Sequence, residues 1–218
     1  MKILTQTFRN CVGAAALAAL SVPAVLPATP ALAASPAEAK QLDQAVAALR
    51  GIKTMKADFI QSGRDGQMVR GTLTLKRPGR IRFQYEKSAK MLIVSDGKAL
   101  TMIDYAVDQV QRWPISDSPL GALLDPHRDV AKYGKVIPTG NPDVVSIEVR
   151  DKSHPEYGVI TLIFTRKASA PGGLELTYWV ALDSQNQRTT IALSNQRYGM
   201  PVTDRDFRWT DPRRKTHR

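Results

Sequence analysis

The chain has 218 residues, with 31 Lys and Arg against 20 Asp and Glu, a formal charge of +11, one cysteine and three histidines. That length builds one domain with a sizeable core. A single cysteine excludes a disulfide framework, and His127, His154 and His217 stand too far apart for any metal-ligand spacing.

Lys2 and Arg9 precede an Ala/Val/Leu-rich run from Cys11 to Leu26, and Ala31-Leu32-Ala33 has the small-x-small form of a cleavage site. Residues 1–33 read as a secretory signal peptide. Pro23, Pro27 and Pro30 interrupt the run, which argues against a transmembrane anchor. Cys11 lies at the start of the apolar run, whereas a lipid-bearing cysteine lies at its end, so the exported chain has no cysteine and no lipid of its own. Loss of Lys2 and Arg9 lowers the charge to +9. In an envelope compartment that charge suits anionic membranes or acidic partners before nucleic acid, although ordinary solubility with a basic tail also explains it.

Ser35-Pro36-Ala37-Glu38 is a capping box with Pro at the first helical position, and Leu42, Val46 and Leu49 follow at helical spacing up to Gly51. One amphipathic helix is expected. Met55, Ala57 and Phe59 alternate with Lys56, Asp58 and Ile60 in a first strand, which turns at Gly63 to Gly66. Leu73 and Leu75 alternate with Thr72, Thr74 and Lys76, and Ile81, Phe83 and Tyr85 alternate with Arg80, Arg82 and Gln84. These are half-buried strands joined at Pro78-Gly79, with one apolar and one cationic, solvated face. Met91 to Leu100 repeats the design around Asp96-Gly97, and Ala99–Ile103 with Gln109–Trp113 makes a further hairpin.

From Pro114 to Tyr133 the texture changes. Ser118-Pro119 precedes Leu120, Leu123 and Leu124, and Asp125-Pro126 precedes Val130 and Tyr133, so two short helices interrupt the strands. Strand signals resume at 144–149, 158–164, 174–182 and 188–198, and Phe207 with Trp209 makes a last short one. Residues 34–210 form one α+β domain, and the basic stretch 211–218 reads as a disordered tail. About eleven antiparallel strands must curl to bury one face. The economical solution is an unclosed, strongly curved β-barrel, with the N-terminal helix and the 114–133 insertion covering a concave apolar surface. That surface is either a filled core or a cavity for an apolar ligand.

No nucleophile elbow, Cys–His pair or phosphate loop is present, and Asp96, Asp104 and Asp108 sit in turns where Asp is expected. The chain reads as a non-enzyme without metal or cofactor. Alternation puts Arg80 and Arg82 on the face opposite Ile81 and Phe83, against a nucleic-acid platform.

Leu49 to Gln61, Gly71-Thr-Leu-Thr-Leu-Lys-Arg-Pro78, Ile93-Val-Ser-Asp-Gly-Lys-Ala-Leu100, Asp108-Gln-Val110 and Ser118-Pro-Leu-Gly-Ala-Leu-Leu124 resemble the LolA family of periplasmic outer-membrane lipoprotein carriers. The resemblance implies an unclosed barrel whose helical lid covers a hydrophobic cavity. It implies a monomeric periplasmic chaperone that accepts acylated lipoproteins from an inner-membrane ABC transporter and passes them to an outer-membrane receptor. It further implies that Arg77, the arginine of Lys-Arg-Pro, latches the lid. The candidate cavity residues are Phe59, Leu73, Leu75, Ile81, Phe83, Met91, Ile93, Met102, Trp113, Leu123 and Leu124; a bulge would turn part of this set outward. Ile81, Ser88, Thr101 and Ile103 depart from the family's usual residues, and the loss of aromatics at Thr101 and Ile103 favours an alternative, an exported lipid binder of the same fold with a non-lipoprotein cargo.

Overall fold

In the computed structural model, helix α1 (Pro36–Gly51) begins at the expected cap. The Ser35 hydroxyl accepts from the Glu38 amide at 3.2 Å, and the Glu38 carboxylate accepts from the Ser35 amide at 2.7 Å. Two amides that would otherwise lack partners are thereby satisfied. Ala45, Val46, Ala48 and Leu49 are buried, with Leu42 packed beside them, so a single apolar stripe faces the sheet.

The structure describes residues 35–63, 65–124 and 129–215, within the unit Ala34–Arg218. The expected leader, the helix signal at Asp125-Pro126 and the end of the tail at 216–218 lie outside the described residues.

Six strands follow α1 as a meander: β1 (Thr54–Ser62), β2 (Met68–Lys76), β3 (Arg80–Tyr85), β4 (Met91–Ser95), β5 (Ala99–Asp104) and β6 (Gln109–Pro114). Short helices α2 (Gly121–Leu124) and α3 (Val130–Tyr133) come next, and then β7 (Gly134–Ile137), β8 (Val144–Arg150), β9 (Val159–Arg166), β10 (Leu174–Leu182) and β11 (Arg188–Tyr198). All eleven strands form one antiparallel sheet in the order β6-β5-β4-β3-β2-β1-β11-β10-β9-β8-β7. Among the described residues only the β1–β11 pairing is remote in sequence. It leaves β6 and β7 as the two edges of an unclosed sheet, and the chain between those edges carries α2 and α3.

The sheet is strongly curved. β3 and β10 are four strand spacings apart, roughly 19 Å on a flat sheet. Yet the rings of Phe83 and Trp179 lie 6.0 Å apart, edge to face. Bulges fall on the β1–β11 pairing at Lys56/Asp58 and on the β10–β9 pairing at Leu176/Tyr178. The pairings from β2 to β6 run without a register shift, so the inward set there keeps its strict alternation.

Three expectations need correction. Phe207 and Trp209 do not make a strand: Asp204–Phe207 is a turn of 3-10 helix, drawn tight where Asp206 accepts from the Thr203 amide at 2.6 Å and its hydroxyl at 2.9 Å. The eleventh strand is instead the short edge strand β7. The chain also keeps regular structure past Asp211, in a second 3-10 turn at Pro212–Lys215 whose Pro212 is buried.

The third correction concerns the cationic face. Leu92, Val94 and Ile103 point outward from β4 and β5, yet they are buried beneath Phe207, with Val202, Val110 and Trp209 around them. Nearby cations hold this C-terminal strap. Lys76 and Arg80 each reach Asp204 at 2.8 Å, and Arg82 donates to the carbonyls of Arg208 at 2.8 Å and Asp206 at 3.3 Å. Part of the face read as solvated is therefore a second, smaller core.

Candidate functional site

Register explains how the concave face changes character. One cross-strand row runs Ala57–Leu73–Phe83–Ile93–Met102–Gln111 over β1 to β6. Leu73 and Phe83 are buried, Ile93 and Met102 half-buried and Gln111 exposed. Along this row packed core opens into a cavity of about 630 Å³.

An aromatic group underlies the opening. Phe59 meets Phe83 at 5.4 Å and Tyr85 at 5.1 Å, both nearly perpendicular, and Phe83 meets Trp179. Edge-to-face rings of this kind pack favourably and resist rearrangement. Gly71 makes room for them, since a Cβ there would lie 2.7 Å from the Phe59 ring and 2.2 Å from the Gln84 carbonyl oxygen. The Tyr85 hydroxyl donates to Gln61 at 2.6 Å, and burial pushes its pKa far up, so it stays neutral.

Phe83, Tyr85, Ile93, Trp113, Leu120, Trp179 and Ile191 supply the apolar wall. Gln61, Gln111, Gln185, Gln187, Ser184, Asp117 and Asp183 supply polar lining. No Lys, Arg or His lines the cavity among the described residues. Such a site can shield an apolar chain on one side while amides and hydroxyls meet polar groups at the mouth.

Phe83, Ile93 and Trp113 of the expected set line this cavity. Met102 shares their face through its pairing with Ile93 and is half-buried, and Met91 packs half-buried against the core. Phe59, Leu73, Leu75, Ile81, Leu123 and Leu124 lie in the packed interior. Ile103 packs beneath Phe207, and Thr101, paired with Val94, shares that outward face, so neither of these departures from the family's usual aromatics lines the cavity. Trp179, Leu120, Ile191 and the lining glutamines escaped the sequence reading. Strict alternation from Leu174 and Leu176 would put Trp179 outward; the bulge between Leu176 and Tyr178 turns it inward, and the β1–β11 closure brings it to Phe83.

Arg77 ends the approach to the Pro78-Gly79 turn. Its amide donates to the Lys53 carbonyl at 2.9 Å. Its Nε is buried without a hydrogen-bond partner, and burial, then the charge of Arg50, lowers its pKa. Two residues on, the Gly79 amide donates to the Leu124 carbonyl of α2 at 3.1 Å, a direct tie between sheet and helical cover.

Known proteins resemble this chain in sequence. The family model described as outer membrane lipoprotein carrier protein LolA matches residues 50–210. The outer-membrane lipoprotein carrier protein of Chromobacterium violaceum is 29% identical over 189 residues, covering 83% of this chain and 88% of its own. The protein of that description from Xanthomonas campestris pv. campestris is 28% identical over 180 residues, covering 74% and 79%. The crystal structure of a LolA superfamily protein from Nitrosomonas europaea aligns with a TM-score of 0.44 at 13% identity, covering 79% of this chain and 98% of that one. The family match takes in α1's last two residues, all eleven strands, the cavity wall and the strap, and the chain belongs to the LolA family of outer membrane lipoprotein carrier proteins.

Proposed function

We propose that this protein is a periplasmic chaperone that shelters the acyl chains of lipoproteins between the two membranes. It takes them from an inner-membrane ABC transporter and hands them to an outer-membrane receptor. The observation that carries this reading is the half-apolar cavity bordered by the tied segment that leads into α2, in a chain of a carrier family. In the working protein the signal peptide at 1–33 has been removed.

Size and energy constrain the mechanism. A methylene displaces about what one water does, roughly 30 Å³, so the 630 Å³ cavity has room for about one long chain. Burying such a chain is worth on the order of 10 kcal/mol at about 0.8 kcal/mol per methylene. Held fully, it would leave too slowly for a carrier, because release governs transfer. A cargo with two or three chains must displace the cover, so closure competes with binding in a two-state balance. Arg77 is the proposed latch, supported by its buried Nε two residues before the Gly79–Leu124 tie.

The test adds the purified protein, and the Arg77→Leu variant, to spheroplasts and probes the supernatant for newly made lipoproteins. Soluble carrier–lipoprotein complexes are expected from both, with poor delivery to outer membranes by the variant. Absence of lipoprotein from the supernatant overturns the carrier reading, and a free lipid found bound by native mass spectrometry replaces it with an exported binder of another lipid.

A further inference from the structure

The two turns that mark this sequence, Pro78-Gly79 and Ser95-Asp96-Gly97, meet in space. A Cβ on Gly79, whose φ is +68°, would lie 2.7 Å from the Gly97 carbonyl oxygen. Between them stands Ser95, with 0% exposure. Its hydroxyl donates to the Gly79 carbonyl at 2.6 Å and accepts from the Gly97 amide at 3.1 Å. The other polar group of Gly79, its amide, makes the 3.1 Å bond to Leu124. Asp96 stiffens its own turn by accepting from the Lys98 and Ala99 amides, each at 2.9 Å.

The same pair of turns holds the start of the cover. The Lys98 carbonyl accepts from the Ile115 amide at 3.0 Å, just past the pairing of Ala99 with Pro114 that ends β6. Segment 115–124 is thus attached at both ends to one rigid unit. The Ile115 end continues a strand ladder. The Leu124 end is tied to the sheet by the Gly79 amide, and the Ser95 hydroxyl holds the Gly79 carbonyl.

We propose that Ser95 is the positioning residue of a clasp: it sets the Pro78-Gly79 turn so that Gly79 holds Leu124, and release of that bond lifts the cover about a hinge at Ile115. The clasp rests on the carrier reading for what the cover admits. It acts through buried hydroxyl and backbone, independently of the Arg77 side chain. Without the hydroxyl, the Gly79 carbonyl and Gly97 amide lose their partner, and the closed arrangement loses the advantage of about one hydrogen bond. That corresponds to roughly tenfold in the open fraction, and a ligand that binds the open form gains apparent affinity by the same factor.

The experiment compares the purified protein with Ser95→Ala, Gly79→Ala and Val145→Ala. Val145 is a buried core residue of β8, and its variant controls for general loss of stability. Binding of a dansyl-labelled dipalmitoyl lipopeptide is measured by stopped flow, and amide hydrogen exchange at Gly79, Leu123 and Leu124 is measured without ligand. Both clasp variants are expected to bind the lipopeptide faster and roughly tenfold more tightly, with faster exchange at those three amides. Val145→Ala is expected to change neither. Simple destabilisation weakens binding, so tightening is the signature of a released clasp. Unchanged or weaker binding with unchanged exchange in both clasp variants overturns the proposal. If the unaltered protein binds no lipopeptide, the carrier reading falls, and exchange at the Gly79 amide still decides the clasp by itself.

Discussion

Two rows lie side by side on one concave face and end differently. Met55, Leu75 and Ile81 form the first, each with 0% exposure, and it stops at the turn that holds Leu124. Leu73, Phe83, Ile93, Met102 and Gln111 form the second, which runs on to the edge strand and loses cover along the way. Both rows have the same alternation and similar residues. The difference is what lies above them: the first is filled like an ordinary core, and the second is left partly empty. A cavity here is a property of coverage, and chemistry of the wall follows from it.

The comparison breaks if both rows respond alike to substitution. Leu75→Ala should cost the most, about 4 kcal/mol of unfolding free energy in urea, from lost burial plus the hole left behind. It should leave lipopeptide affinity within about twofold once the protein is folded. Phe207→Ala should cost about 3 kcal/mol, near the lower end for a buried aromatic, because the small outer cluster can partly collapse. Limited proteolysis should then cut the strap near Val202 while the cavity still binds. Ile93→Gln should lower lipopeptide affinity roughly tenfold, about the worth of the apolar contact removed, with only about 1 kcal/mol of stability lost. Equal stability losses for Leu75→Ala and Ile93→Gln would erase the distinction between filled and open rows.

The smallest effect is expected at the strap in acid. Lys76's hydrogen bond, and then the charge of Arg80, hold the Asp204 carboxyl below its ordinary value of 3.8. A carboxyl depressed in the folded state contributes stability above its unfolded pKa and loses it as pH falls through the lower folded value. Hydrogen exchange at Phe207 should therefore quicken below about pH 4. Asp204→Asn should abolish that step and loosen the strap mildly at neutral pH.

Much of the architecture is legible without coordinates. The Ser35/Glu38 cap, the turns at Pro78-Gly79 and Asp96-Gly97, and the alternation of ten strands are local chemistry, and local chemistry is written in adjacent residues. The site is less legible. Phe83, Ile93 and Trp113 are marked as inward by period alone, but so are Leu75 and Ile81, which never reach the cavity. Phe207 and Trp209 imitate a strand because alternating aromatics look alike whether they pair with a neighbour or plug a distant patch.

By itself the sequence determined an antiparallel, one-domain sheet with a helical interruption, because turn residues and period-2 alternation act over a few residues. Tertiary structure decided the rest: the β1–β11 pairing that brings Trp179 to Phe83, the strap that turns a cationic face into a second core, and the clasp at Ser95. Each of these joins residues far apart in the chain, with Arg82 and Arg208 separated by 126 positions. Contacts at that distance depend on which surfaces curvature brings together, and no local pattern records that.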